Sequence, residues 1–150
     1  MHIWVDGDAC PVIIKEILFR AAVRTKIGLT VVANQPMQIP RSEFISIFTV
    51  RSGLNVADQH IVDSVAAGDL VVTADIPLAA LVVAKGAIAL DPRGALYTES
   101  SIGERLAMRN LMDELRGSGL VAGGPAPLTS NDRQSFANQL DRLITKSRSK

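Results

Sequence analysis

Apolar and polar residues alternate in two rhythms along this chain, and the changes between them mark out its elements. Ile3-Trp4-Val5 is a short apolar run ending in Asp6-Gly7-Asp8, and Pro11 suits the first turn of a following helix. From Val12 the apolar residues Ile13, Ile14, Ile17, Leu18 and Ala21 keep helical spacing, while Glu16, Arg20 and Arg24 form a polar stripe at i, i+4 intervals. Gly28 is the expected stop, ahead of a strand at Leu29 to Ala33. Asn34-Gln35-Pro36 breaks the pattern, and Ile45 to Val50 supplies a third run rich in β-branched residues and Phe. The same reading predicts a helix around Val56 to Ala67, a buried strand at Leu70 to Thr73, a helix from Pro77 to about Lys85 and a strand at Ala87 to Leu90.

Strands alternating with helices predict an α/β fold with a mostly parallel sheet sandwiched by helices. In such sheets the ligand crevice lies at the carboxyl ends of the strands. Beyond Asp91-Pro92-Arg93-Gly94 the character changes to two amphipathic helices on either side of the Gly/Pro-rich stretch Gly117 to Pro127. One carries Met108, Leu111, Met112 and Leu115 on a stripe, the other Phe136, Leu140, Leu143 and Ile144. Both stripes need a surface to cover, so both helices are expected to pack on the sheet. The expected organisation is a single domain over 1–150, with a core at 1–95, a helical extension at 96–150 and a frayed basic tail at 146–150.

Composition changes this picture little. The 150 residues are 47% hydrophobic and only 4% aromatic, which predicts a core of Ile, Val, Leu and Ala. A formal net charge of +1 neither demands nor excludes nucleic acid, because one face can be basic while the whole is nearly neutral. One cysteine allows no internal disulfide, and the start His2-Ile3-Trp4-Val5-Asp6 lacks the basic region of a signal peptide. The longest wholly apolar run, Ile76 to Ala84, is shorter than the ~20 residues that span a bilayer. A cytoplasmic protein with no membrane span is expected.

Chemistry enters with the acids. Asp6 ends the first strand, Asp75 follows the strand Leu70 to Thr73, and Asp58 opens the helix before it, so strand direction brings all three toward one rim. Relative to Asp58, Ile61, Val62 and Val65 fall at roughly −60°, +40° and −20° around the helix, which turns this acid toward the sheet. Asp63 and His60 fall on the polar side. Clustered carboxylates raise one another's proton affinity unless a cation neutralises them. An all-oxygen site suits Mg²⁺ or Mn²⁺, and the absence of a His/Cys cluster argues against zinc. Each acid also has a structural alternative: Asp8 capping its helix, Asp58 as a plain N-cap, Asp75 as a turn former before Pro77.

Val5-Asp6-Gly7-Asp8-Ala9-Cys10-Pro11-Val12, Ala57-Asp58-Gln59-His60-Ile61-Val62 and Val72-Thr73-Ala74-Asp75-Ile76-Pro77-Leu78-Ala79 together resemble the YaiI/YqxD family of bacterial proteins, as does Asp91-Pro92-Arg93-Gly94-Ala95-Leu96-Tyr97-Thr98. That family is placed among PIN-like domains, and the PIN likeness covers about residues 1–95. The resemblance implies a divalent-metal-dependent nuclease, with RNA as the favoured substrate and single-stranded RNA the expected partner. Asp6, Asp58 and Asp75 match the PIN acids in order and are the implied metal-binding and catalytic residues, with Thr73 closing the strand before Asp75. PIN domains commonly carry a further acid, for which Asp8, Asp63 and Asp91 remain open.

Other constellations weigh less. Asp6-Gly7-Asp8 is also similar to the start of haloacid-dehalogenase phosphatases, where the first Asp attacks phosphate. Cys10, however, stands where that family places Thr or Val. Cys10 itself reads as a small buried side chain rather than a nucleophile. Arg105, Arg109 and Arg116 lie near one helix face; Asp113 can pair with Arg109, so a solvated face is expected. Arg93 sits closer to the crevice. A non-catalytic RNA-binding or partner-binding domain that keeps the acidic crevice is the third reading.

Overall fold

In a computed structural model, which describes residues 1–53, 55–119 and 127–149, the predicted alternation of elements is present. The order is β1 (Ile3–Asp6), α1 (Val12–Thr25), β2 (Leu29–Ala33), β3 (Ile45–Thr49), α2 (Val56–Ser64), β4 (Leu70–Val72), α3 (Ile76–Ala84), β5 (Ile88–Leu90), β6 (Leu96–Tyr97), α4 (Glu99–Gly117) and α5 (Ser130–Arg148). The strands form one sheet in the order β3-β2-β1-β4-β5-β6. β1 to β5 pair in parallel, and β6 adds an antiparallel edge that the sequence pattern does not predict. At two residues β6 is too short to show a period; it is a strand because Ala89 and Leu90 offer it a partner.

Alternate residues of each strand point to opposite faces, and each face has its own helices. Ile3, Val5, Leu29, Val31, Leu70 and Val72 pack with Ile14 and Leu18 of α1 and with Phe136, Leu140 and Ile144 of α5. Val32, Val71 and Ala89 pack with Ile61 of α2, with Leu78 and Val82 of α3, and with Ile102 of α4. The aliphatic core and the helices on both faces agree with the sequence expectation and are consistent with a PIN-like layout.

Several local expectations are corrected. Gly28 does not end α1: Lys26 takes the left-handed position at φ 58°, and its N–H bonds the carbonyl of Ala22. Gly28 instead lets the chain pass His2, whose Nδ1 would lie 2.8 Å from an added Cβ. The basic end does not fray over 146–149, since α5 runs through Arg148 and the Ser149 N–H closes on the carbonyl of Thr145 at 3.1 Å. Lys146 and Arg148 lie in the last helical turn, where positive charge is favoured. Position 150 of the expected tail lies outside the described residues.

α5 covers the sheet as expected, whereas α4 does so only near its start. Ile102 is buried and Leu106 packs beside it, but Met108 and Leu111 are 57% and 48% exposed. Residues 120–126 of the predicted Gly/Pro-rich connector lie outside the described residues. No helix among the described residues is long and apolar enough to cross a membrane.

Candidate functional site

β1 and β4 are neighbours at the centre of the sheet, and the chain winds outward from them in opposite directions: to β2 and β3 on one side, to β5 and β6 on the other. Loops leaving such a pair part from each other, which opens a crevice at their carboxyl ends. Asp6 is the last residue of β1, and Asp75 is the N-cap of α3 just beyond β4. Two of the predicted acids thus flank the crevice by topology alone.

Thr73 joins them. Its hydroxyl donates to Asp6 Oδ2 at 3.2 Å and accepts the Asp75 backbone N–H at 3.0 Å. Asp6 is only 7% exposed and Thr73 1%. Asp75 Oδ1 accepts from the N–H of Leu78 at 3.0 Å, so the turn-former reading is true of part of this side chain, which caps α3 while facing the crevice. Gly7 is required by the same corner: its N–H bonds the carbonyl of Val32 at 2.9 Å, and a Cβ there would meet Val31 Cγ1 at 2.5 Å.

Asp58 completes the group from the opposite wall. It is not the N-cap of α2; that position belongs to Asn55, at φ 63°, which leaves Asp58 in the first turn with its side chain toward the other acids. Burial raises its pKa first, then the negative charges of Asp75 and Asp6 and the approach of the Asp75 carboxyl, to about 7. Asp6 is also raised: burial dominates, the Thr73 hydroxyl partly offsets it, and Asp75 and Asp8 add to it. Asp6 and Asp58 therefore resist ionisation both because they are desolvated and because other carboxyls stand near them.

The supporting residues divide. Asp8 does not cap α1, which has no side-chain cap; its Oδ2 accepts the Asn34 N–H at 2.8 Å, although its charge still reaches Asp6. Asp63 accepts from Gln59 Nε2 at 2.8 Å on the exposed side of α2. Asp91 turns toward the far side of the rim, where it accepts from the Arg93 N–H at 2.7 Å and from the Tyr97 hydroxyl at 3.2 Å. Arg93 reaches Asp132 of α5, Nη1 to Oδ2 2.6 Å. Of these, Asp8 is the one whose charge acts on Asp6 in the crevice.

Cys10 is buried, and its thiol is pushed up to about 12, chiefly by desolvation, in keeping with a packing role. His2 lies on a different edge, bonded to Thr30 Oγ1 at 2.8 Å, and burial lowers its pKa. His60 stacks on Phe48 with ring centroids 4.0 Å apart. Tyr97 and Arg105 are the residues that sequence reasoning undervalues. The Tyr97 hydroxyl donates toward Asp91, burial drives its pKa up, and the Arg105 guanidinium lies 4.1 Å over its ring and 3.6 Å from Asp91. Arg109, at 3.7 Å from Asp113, keeps the solvated role expected of it.

The stretch that builds this crevice lies within a match to a known family. The sequence model of the uncharacterised bacterial YaiI/YqxD family matches residues 4–146. The chain belongs to the YaiI/YqxD family. Relatives named UPF0178 protein include one from Thioalkalivibrio sulfidiphilus, 60% identical over 146 residues, which are 97% of this chain and 99% of that protein. Those from Shewanella loihica and Hydrogenovibrio crunogenus are 60% and 58% identical, each over 97% of both chains. No solved structure matches. The match thus spans the core and reaches into both helices of the extension.

The donor chemistry of the crevice fits a hard cation: carboxylates and a hydroxyl, with no sulfur or imidazole ligand. Among the described residues no group of three or more His, Cys, Asp or Glu is placed so that together they could hold a metal ion.

Proposed function

We propose that this chain is a divalent-metal-dependent nuclease of the PIN-like kind, acting on single-stranded RNA, with Asp6, Asp58 and Asp75 as the acids that hold Mg²⁺ or Mn²⁺. The observation that carries the reading is that Thr73 ties Asp6 and the Asp75 turn together at the point where the sheet reverses its winding, with Asp58 close by. Three carboxyls gathered at the place where topology opens a crevice form an arrangement that a cation relieves.

When bound, such an ion supplies charge neutralisation at a phosphodiester and acidifies a water molecule. The protein's own residues do the rest. Thr73 holds Asp6 in one orientation, the α3 cap holds Asp75, and Asp58 reaches across from α2. Support for a single strand comes from α2 as well. His60 and the half-exposed Phe48 form a stacked pair, and His60 lines an open groove with Arg51, Asn55 and Gln59, the mixture of aromatic, cationic and amide groups on which unpaired bases settle.

The phosphatase reading is disfavoured by one feature: Asp6 would have to be the nucleophile, yet it is buried and its carboxylate is engaged by Thr73. The test is cleavage of single-stranded RNA with Mn²⁺ or Mg²⁺, abolished by EDTA and by Asp6→Asn. A trapped aspartyl-phosphate from a small phosphoester would replace the nuclease reading with the phosphatase. No reaction with either substrate, with the fold intact and metal bound, would leave a binding domain.

A further inference from the structure

Beside the acidic crevice, on the β5 side of the rim, lies a second cavity of about 330 Å³. Its lining includes Ala74 and Ile76, the neighbours of Asp75, together with Asp91, Arg93, Tyr97 and Arg105. Its volume is at the small end of the roughly 300 to 1,000 Å³ of ligand pockets, enough for a phosphoryl group and its sugar rather than a folded polymer.

Arg105 is the group this cavity presents. Its guanidinium lies over the Tyr97 ring at 4.1 Å, which restrains the side chain. Its ion pair with Asp91 spans 3.6 Å, longer than a hydrogen bond. A guanidinium carries five N–H donors in a fixed fork, so an oriented cation faces the cavity with hydrogen-bonding capacity to spare. Asp91 is itself held by the Arg93 N–H at 2.7 Å and the Tyr97 hydroxyl, so it positions the cation without needing it as a hydrogen-bond partner. Asp75 is near enough for its charge to act on Tyr97, which places the acid cluster and the cavity side by side.

We propose that this cavity binds a terminal phosphate of the nucleotide strand, with Arg105 as its principal ligand, and so sets how far from the strand end the acidic crevice acts. The assignment deepens the nuclease reading and rests on it for the identity of the strand. The chemistry matches: a planar fork stacked on an aromatic ring is the arrangement that recognises a phosphate dianion through paired N–H donors. A terminal phosphate is preferred over an internal one because it carries the greater charge and because the cavity is too small for a strand to continue through it.

The test is binding of short RNA in EDTA, where no cleavage occurs, comparing strands that end in phosphate with strands that end in hydroxyl at the 5′ and at the 3′ end. Wild-type protein should prefer one phosphorylated end by about tenfold, the effect of one charge-assisted pair. Arg105→Gln should erase the preference, while Arg105→Lys, which keeps the charge but not the fork, should retain part of it. Thermal unfolding of both variants checks that α4 still docks. Equal affinity for phosphate and hydroxyl at both ends, or a preference that survives Arg105→Gln, overturns the assignment. Because binding is read without metal or turnover, RNA cleavage with no end preference would remove this subsite alone. An end preference without cleavage under any metal would instead remove the nuclease reading.

Discussion

Thr73 holds Asp6 by a hydrogen bond of 3.2 Å between two side chains that are almost wholly buried and 67 residues apart in sequence. The same hydroxyl accepts the N–H of Asp75. Thr73→Val keeps the shape but leaves a carboxylate and an amide without this partner, so it should cost about 1 to 3 kcal/mol. Thr73→Ser keeps the hydroxyl and should cost clearly less. Urea unfolding of both variants checks this; equal losses would show that methyl packing, not the hydroxyl, is what matters.

The Asp58 carboxyl predicts how the metal-free protein responds to pH. Its folded pKa of about 7 stands above its ordinary value of 3.8, so between these values the folded state holds a proton that the unfolded state releases. Asp58, and Asp6 shifted in the same direction, therefore make stability fall as pH rises through that window, while His2, whose pKa burial lowers, contributes the opposite slope. In EDTA, melting temperatures measured from pH 4 to 8 should fall in wild type relative to Asp58→Asn as pH rises. A pH profile of the same shape in wild type and Asp58→Asn would contradict the raised Asp58 carboxyl.

Asp75 does two jobs that substitution can separate. Asp75→Asn keeps an oxygen for the Leu78 N–H but removes the charge facing Asp58, whereas Asp75→Ala removes both. The Ala variant should lose about 1 kcal/mol relative to the Asn variant, the worth of an N-cap. In both, Asp58 should titrate nearer its ordinary value, observable by carboxyl NMR. An unchanged Asp58 titration would remove Asp75 as its neighbour.

Gly94 is predicted to be intolerant. At φ 93° it turns the chain toward β6, and a Cβ there would lie 2.7 Å from the backbone of Ser135 and Phe136 in α5. Gly94→Ala should cost at least about 2 kcal/mol, since neither the backbone strain nor the overlap has a flexible side chain to absorb it. Calorimetric unfolding checks the cost, and a neutral substitution would show that α5 can shift away from this loop.

Much of the fold was legible because burial has a period. The runs at Ile3, Leu70 and Ile88 are continuous apolar segments, as parallel strands covered on both faces should be, those at Leu29 and Ile45 are apolar runs interrupted by Thr or Ser, and each is a strand. The helix angle of Asp58 was legible for the same reason. Arg105 was not: the partner of its helix-face neighbour Arg109 is Asp113, four residues on and readable from the sequence, whereas nothing within four residues of Arg105 says that it meets Asp91 across a loop. Nor was the left-handed turn at Lys26, because Gly28 nearby offers the residue type that more often ends a helix.

Apart from β6, which residues form strands and helices, and which acids stand at strand ends, follow from neighbours only a few positions away, and so could be read from the chain alone. That β1 and β4 lie side by side, that Thr73 bonds Asp6, and that Asp58 feels the charges of Asp75 and Asp6 came only with the folded arrangement. The physical reason is range: periodicity reports burial within one element, whereas repulsion between carboxyls depends on distance through space, which strand order sets.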